Sequence, residues 1–384
     1  MKKIGIITIL KCDNFGAELQ AFATQYMLRQ MGYDAEIIDY LYFKHPKFKY
    51  TKNAKTAWKR DFKTELKEYL KYQLAGKLLS SIGTLLVKKQ KTLSNKFDAF
   101  HKDNTKLSKT YRSIDELYKA SMDYDVYIVG SDQVWNPGTG TNLAPYFLTF
   151  VPMGKKKISY ASSFGVSKIP ESLTETYKLW INNIDYLSVR EDAGVKIISE
   201  LTGRKAMLVL DPTLLLNRKD WLELKGGESP QKGYVLIYET YRSEKLYRMA
   251  RYYSGKNHVK IYRVETKAIF NEKDDQIVNL EECGPADFVK LIENAGLVLT
   301  GSFHGTAFSV NMAVPFYSVL ERDRPNNSRI TSLLHKLDLE ERIVYEDDAF
   351  EDINWDAYDV EKSQKLLQIE RENSIAFLKK SIDD

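Results

Sequence analysis

Cysteine is scarce in this 384-residue chain: Cys12 and Cys283 stand far apart and form no CxxC pattern. That spacing supports neither a disulfide framework nor a zinc site and fits a reducing cytoplasm. No HExxH, GxSxG, EF-hand or clustered Cys/His pattern is present, so nothing favours metal catalysis. GxGxxG and GxxxxGK[ST] are also missing, which removes the motif arguments for a nicotinamide or ATP enzyme, and no cofactor is expected. Long apolar runs are lacking too. Ile4 to Leu10 imitates a signal peptide but is too short and is interrupted by Lys11 without a cleavage site. Leu78 to Val87 contains two serines and a glycine and is about half the length of a bilayer span. A cytoplasmic location is expected.

What is present describes a folded protein: 43% hydrophobic and 28% charged residues, with 25 Tyr and 17 Phe, can fill a large core. The length predicts two domains. Net charge is +5, but its distribution is uneven. From Lys44 to Lys109 there are 18 Lys and Arg against 5 Asp and Glu, a local balance of +13, while the rest holds 39 basic and 47 acidic residues. One basic segment in an otherwise acidic chain points to a confined anionic partner rather than to nucleic acid.

Lys3 to Leu10, the turn-rich Lys11 to Gly16, Ala17 to Met31 and Ala35 to Asp39 read as strand, loop, helix, strand. The first loop of such a unit lies at the carboxyl edge of a parallel sheet, where α/β proteins bind ligands. Phe62, Leu66, Tyr69, Leu70, Leu74, Leu78, Ile82 and Leu85 recur at helical steps, predicting an amphipathic helical insertion over 44–110. Further strands are expected at Val126–Val129, Lys157–Ala161, Tyr186–Val189, Ala206–Leu210, Tyr234–Tyr238, Val259–Tyr262, Gly296–Thr300 and Val314–Val319. Helices are expected at Ser243–Tyr253, Ala286–Asn294, from Gly305, and at Glu361–Ile382. The expected fold class is α/β: two Rossmann-like domains facing a cleft, 1–185 and 186–345. An extension over 346–384 ends in a helix able to return to the first domain.

The most informative candidate site is Thr300-Gly301-Ser302-Phe303-His304-Gly305-Thr306, a strand end turning into a helix. Its glycines let the backbone approach a ligand, while the helix start and the hydroxyls of Ser302 and Thr306 suit an anion. His304 beside an anion can exchange a proton; the alternative is a capping loop whose histidine makes only structural hydrogen bonds. A second candidate is Arg190, delivered at the end of Tyr186–Val189. It is suited to bidentate carboxylate or phosphate recognition, or else to an ion pair with Glu191 or another acid. Two loops offer amides, hydroxyls and a ring, as sugar-binding loops do: Asp13 to Glu18, with Asn14 and Gly16, and Gly130 to Asn136, with Ser131, Gln133 and Asn136. Arg322, Arg324 and Arg329 cluster in a Pro/Asn-rich loop that either closes over an anionic donor or is simply solvated.

These stretches together resemble the polysaccharide pyruvyl transferase family. The resemblance rests on Asn14-Phe15-Gly16-Ala17-Glu18-Leu19-Gln20-Ala21, Gly130-Ser131-Asp132-Gln133-Val134-Trp135-Asn136, Ser188-Val189-Arg190-Glu191, Asp211-Pro212-Thr213 and Ser302-Phe303-His304-Gly305, in that order. It implies a fold like the two-domain GT-B glycosyltransferases and transfer of the enolpyruvyl group of phosphoenolpyruvate onto two hydroxyls of a sugar as a cyclic ketal, in bacterial capsule or exopolysaccharide synthesis. It also implies that Arg190 and His304 face the donor and carry the catalysis. One version of the motif has an arginine two residues before the histidine. Here that residue is Ser302, and Arg322 or Arg329 is the substitute on offer. A lipid-linked oligosaccharide acceptor would give the basic segment an anionic bilayer or diphosphate to meet. The rivals are a nucleotide-sugar glycosyltransferase of the GT-B type and a non-catalytic polysaccharide-binding or assembly protein on the same fold.

Overall fold

In the computed structural model, which describes residues 1–54, 84–264, 274–324 and 326–384, the chain opens with a parallel sheet. Lys3–Ile7 (β1), Asp34–Ile37 (β2), Val126–Val129 (β3) and Lys156–Ser159 (β4) lie in the order β2-β1-β3-β4. Val126–Val129 is buried along its whole length, as expected of a strand covered on both faces. The helix Phe15–Gln30 (α1) crosses from β1 to β2 and is capped by Asn14. Thr84–Asn104 (α2) packs on α1 through Phe97 against Phe15 and Phe100 against Phe22, with ring centroids 5.6 and 5.9 Å apart. The expected amphipathic stripe from Phe62 to Leu85 lies outside the described residues, apart from the helical backbone of 84–85.

Beyond Thr174–Asn182 (α3) the short strands Ser188–Val189 (β5) and Met207–Leu208 (β6) flank Asp192–Thr202 (α4). They belong to the first unit, which comprises Met1–Pro212 and Ser374–Asp384. This corrects the boundary expected near Asp185. Isolated parallel bridges from Ile158 to Tyr186 and from Ser162 to Val189 extend the first sheet past β4, so residues 186–212 complete it rather than begin the next. The core around β3 and β4 is aromatic: Trp135 stacks on Phe147 at 4.9 Å and packs on Phe164, and its Nε1 donates to the Tyr146 carbonyl. At the C-terminus, Ser374 accepts from the Leu210 amide, and the Lys2 and Lys156 ammonium groups donate to the Ile382 carbonyl. The end of the last helix, Val360–Asp383, is thus part of the first unit.

The second unit, Thr213–Asn373, carries Tyr234–Tyr238 (β7), Ile261–Val264 (β8), Ile277–Leu280 (β9), Ala295–Thr300 (β10), Phe316–Leu320 (β11) and Ile343–Tyr345 (β12). Every pairing is parallel, in the order β12-β11-β10-β7-β8-β9. This is the doubly wound, Rossmann-like order, in which the chain leaves the sheet centre in one direction through β8 and β9 and returns in the other through β10. The switch point therefore falls between β7 and β10, whose following loops are Glu239–Ser243 and Gly301–Ser302. Helices Glu244–Asn257 (α5), Pro285–Glu293 (α6), Phe303–Met312 (α7) and Ser328–Lys336 (α8) cover the sheet. Among the described residues no helix is long and apolar enough to cross a membrane.

Candidate functional site

At the carboxyl edge of the first sheet, three motif stretches meet in a buried charged node. The Arg190 side chain is fully buried; its Nη1 donates to Asp211 Oδ2 at 2.6 Å and to Ser131 Oγ at 3.3 Å, and its Nη2 to Asp132 Oδ1 at 3.2 Å. Glu191 Oε2 lies 3.9 Å from Nε, while Oε1 accepts from the Phe164 amide. Burial alone would lower the Arg190 pKa, but Asp211, Asp132 and Glu191 more than offset it and hold the guanidinium above its ordinary value. Ser131 is equally committed, donating to the Ala161 carbonyl and bonded to Asp211. Of the two readings of Arg190, the ion pair with neighbouring acids is the one this node shows. The acid of the node that reaches solvent is Asp132, 13% exposed.

That edge also stores backbone strain. Lys11, Asp13, Asp132 and Ala161 have φ values of 55, 52, 68 and 53°, although none is glycine. They sit on the loops after β1, β3 and β4, the edge at which parallel α/β sheets generally bind ligands. Buried Glu18 anchors the first loop: Oε1 accepts from the Cys12 amide at 3.0 Å, and Oε2 lies 2.9 Å from Nε2 of buried His101 on α2. Burial, helped by Glu18, Asp132 and Asp13, pushes the Cys12 thiol well above its ordinary pKa. The same forces, burial first and then Glu18 and Asp98, raise Asp13.

The remaining first-unit candidates make structure rather than an open site. Asn14 is the N-cap of α1, its Oδ1 accepting from the Ala17 amide at 3.1 Å, and Gly16 is buried in the first turn. Asn136 donates to Gln133 Oε1 at 2.6 Å and accepts from the Gly138 amide, so the two side chains brace their own turn.

At the carboxyl edge of the second sheet, Gly301-Ser302 leads into α7. A β-carbon at Gly305 would lie 2.4 Å from Thr300 Oγ1, so only glycine lets the helix start press this closely on β10. Thr306 is buried, bonded to the Ser302 carbonyl at 3.1 Å and to Ser318 Oγ at 2.7 Å, and pins α7 to β11 instead of facing a ligand. His304 sits in the first turn, 6% exposed, with its ring edge-on to Phe303 at 5.1 Å. Ser302 is the N-cap residue, but its hydroxyl makes no capping bond. Imidazole, hydroxyl and helix amides thus share one turn at the edge of a switch point, an arrangement suited to an anion and to proton transfer.

The expected arginine substitutes fare differently. Arg322 is taken by two acids: Nε lies 2.9 Å from both oxygens of Asp347 and Nη2 2.5 Å from Asp348, and the Asp347 hydrogen bond leads in holding its pKa above the ordinary value. Arg329 Nε donates to the Asn326 carbonyl at the start of α8. The sequence reading did not single out Tyr241, which follows β7 and carries no spacing signal, or Asp132, which stood inside a quoted motif; Arg324 was seen only as part of its cluster.

A family model described as polysaccharide pyruvyl transferase matches residues 14–324. A search of curated proteins finds no match. Among solved structures, the UDP-GlcNAc 2-epimerase of Methanocaldococcus jannaschii is similar at 13% identity and a TM-score of 0.45, covering 96% of this chain and 92% of its own. A spinosyn rhamnosyltransferase is similar at 9% identity and 0.49, covering all of both chains. MurG of Acinetobacter baumannii is similar at 12% and 0.38, covering 98% and 94%. The strand order, not these distant likenesses, carries the fold assignment.

Proposed function

Because the chain belongs to the polysaccharide pyruvyl transferase family, we propose that it moves the enolpyruvyl group of phosphoenolpyruvate onto two hydroxyls of a sugar as a cyclic ketal. The observation that supports this most is the Ser302–Thr306 turn: a histidine in the first turn of a helix, at the switch point of a doubly wound sheet, beside a hydroxyl and amide donors. Phosphoenolpyruvate carries a phosphate and a carboxylate on three carbons, so its site needs charged and N–H donors more than apolar walls.

In this reading His304 gives a proton to the methylene carbon of the donor, turning it into a methyl group and leaving the adjacent carbon electron-poor. One sugar hydroxyl adds there and releases its proton to a base. The C–O bond to phosphate then breaks, phosphate leaving with the bonding pair, and the second hydroxyl closes the ring as its own proton departs. Donor plus diol becomes ketal plus inorganic phosphate. The residues supply orientation and proton transfer, contributions on the order of 10²–10⁴-fold for the latter. In this reading Arg190, locked onto Asp211 and Asp132, is a positioning residue of the first unit. The basic stretch 44–109 is assigned to an anionic, lipid-linked acceptor at the cytoplasmic face of a membrane, in capsule or exopolysaccharide synthesis.

The test is incubation with phosphoenolpyruvate and a panel of lipid-linked oligosaccharides, read by mass spectrometry. A product carrying one added pyruvate ketal, with an equivalent of phosphate released, is expected. Glycosyl transfer from a UDP- or GDP-sugar, with no use of phosphoenolpyruvate, would overturn the assignment.

A further inference from the structure

We infer that Arg324, braced on Tyr241, is the cationic half of an anion subsite at the His304 turn, where it takes a carboxylate or phosphate group of the small-molecule donor. The inference rests on the donor assignment above and adds a residue that the motifs do not contain. Its starting point is the second sheet's switch point, where the loops after β7 and β10 diverge. Tyr241, from the first of these loops, lies across the end of the second and of β11: its hydroxyl donates to the Val319 carbonyl at 3.0 Å. A β-carbon at Gly301 would come within 3.0 Å of its ring. Gly301 is therefore the residue that allows the ring to close on the strand end immediately before Ser302. The Arg324 guanidinium carbon lies 3.8 Å from the centroid of that same ring.

Stacking fixes the plane of a planar cation and lowers the entropy lost when it forks onto an oxyanion. Arg324 is 35% exposed, and Glu321 engages its Nε at 2.6 Å. Among the described residues no other partner takes its terminal nitrogens, the edge used in bidentate recognition. The pair with Glu321 is an exposed contact three residues along the chain, a class too weak to compete with a multiply charged ligand. The neighbouring cations are committed elsewhere: Arg322 to Asp347 and Asp348, and Arg263 to Asn279 and Tyr247.

Calorimetric titration of the full chain with phosphoenolpyruvate, inorganic phosphate and UDP tests this. Wild type is expected to bind phosphoenolpyruvate, with Arg324→Gln weakening it about ten- to hundredfold and Arg324→Lys less, the range for a charged hydrogen bond. Glu321→Gln should bind as well as wild type or better, because a competing carboxylate is gone. Wild-type affinity in Arg324→Gln would overturn the inference alone. So would equal losses in Glu321→Gln and Arg324→Gln, which would make the salt bridge a structural strut. Wild type that binds UDP but not phosphoenolpyruvate would instead overturn the donor assignment, and the inference with it. Inorganic phosphate binding that falls in Arg324→Gln places the phosphate at this arginine; phosphate binding that is unchanged, with phosphoenolpyruvate weakened, places the carboxylate there.

Discussion

The two sheet edges are built on the same plan and filled in opposite ways. In the first unit the loops after β3, β5 and β6 converge on a guanidinium ringed by Asp211, Asp132 and Glu191, with strained backbone nearby. In the second unit the loops after β7 and β10 hold an imidazole, a hydroxyl and a helix start, with Arg324, from the loop after β11, stacked on Tyr241 and paired with Glu321. Carboxylates gathered around a buried cation use up its charge on the protein itself, whereas a helix start and an arginine at the surface keep theirs for a ligand. The motif residues of the first edge are thus spent on one another as a scaffold, and the site proposed above stands at the second.

The largest effect that would sharpen this contrast is on stability. Arg190→Ala leaves three carboxylates in one buried place, and breaking such a node costs about 3–5 kcal/mol. A marked fall in melting temperature and in the denaturant midpoint is expected, together with lost turnover. An Arg190→Ala protein as stable as wild type would break the scaffold reading. Next in size, His304→Ala should reduce ketal formation by about 10²-fold or more, the range for removing a proton-transfer group, while lowering the melting temperature far less than Arg190→Ala does. Equal loss of stability in both variants, or near-normal turnover in His304→Ala, would erase the distinction.

The smallest effect concerns Cys12. Its thiol pKa lies above the ordinary value, so at pH 8 the reactive thiolate is scarcer than in a free cysteine. Alkylation should be slow near neutrality and accelerate only as pH rises beyond the usual thiol range. Asp132→Asn removes one of the charges responsible and should speed it several-fold. Labelling at the rate of a free thiol would show that Cys12 is neither buried nor faced by the acids of the first edge.

Much of the architecture was legible because it is written in local pattern. Val126–Val129 and Tyr234–Tyr238 are continuous apolar runs and fall where expected to the residue, since a strand buried on both faces needs no partner to be recognised. Ile277–Leu280 and Ile343–Tyr345 went unseen. Both are short strands at the ends of the sheet order, only partly buried, with weak pattern. The domain boundary slipped from 212 to 185 because β5 and β6 are two residues each and join the first unit through isolated bridges that leave no trace in composition. The His304 turn could be read from adjacent residues. The partners of Arg190 could not: Asp132 and Asp211 lie 58 and 21 residues away, and spacing carries no information on such pairings. For the same reason Ser131 and Thr306 looked like ligand donors, their partners Asp211 and Ser318 lying outside their own motifs, while Asn14 caps its own helix.

The central claim, that the donor is held at the second edge with His304 in contact, is tested most directly by following the imidazole resonances during a phosphoenolpyruvate titration. The chain has five histidines, and assignment by His304→Gln is straightforward. The His304 signal should shift in a saturable way while His101, locked on Glu18, stays in place. Saturable binding that moves His101 and leaves His304 unperturbed would contradict the account.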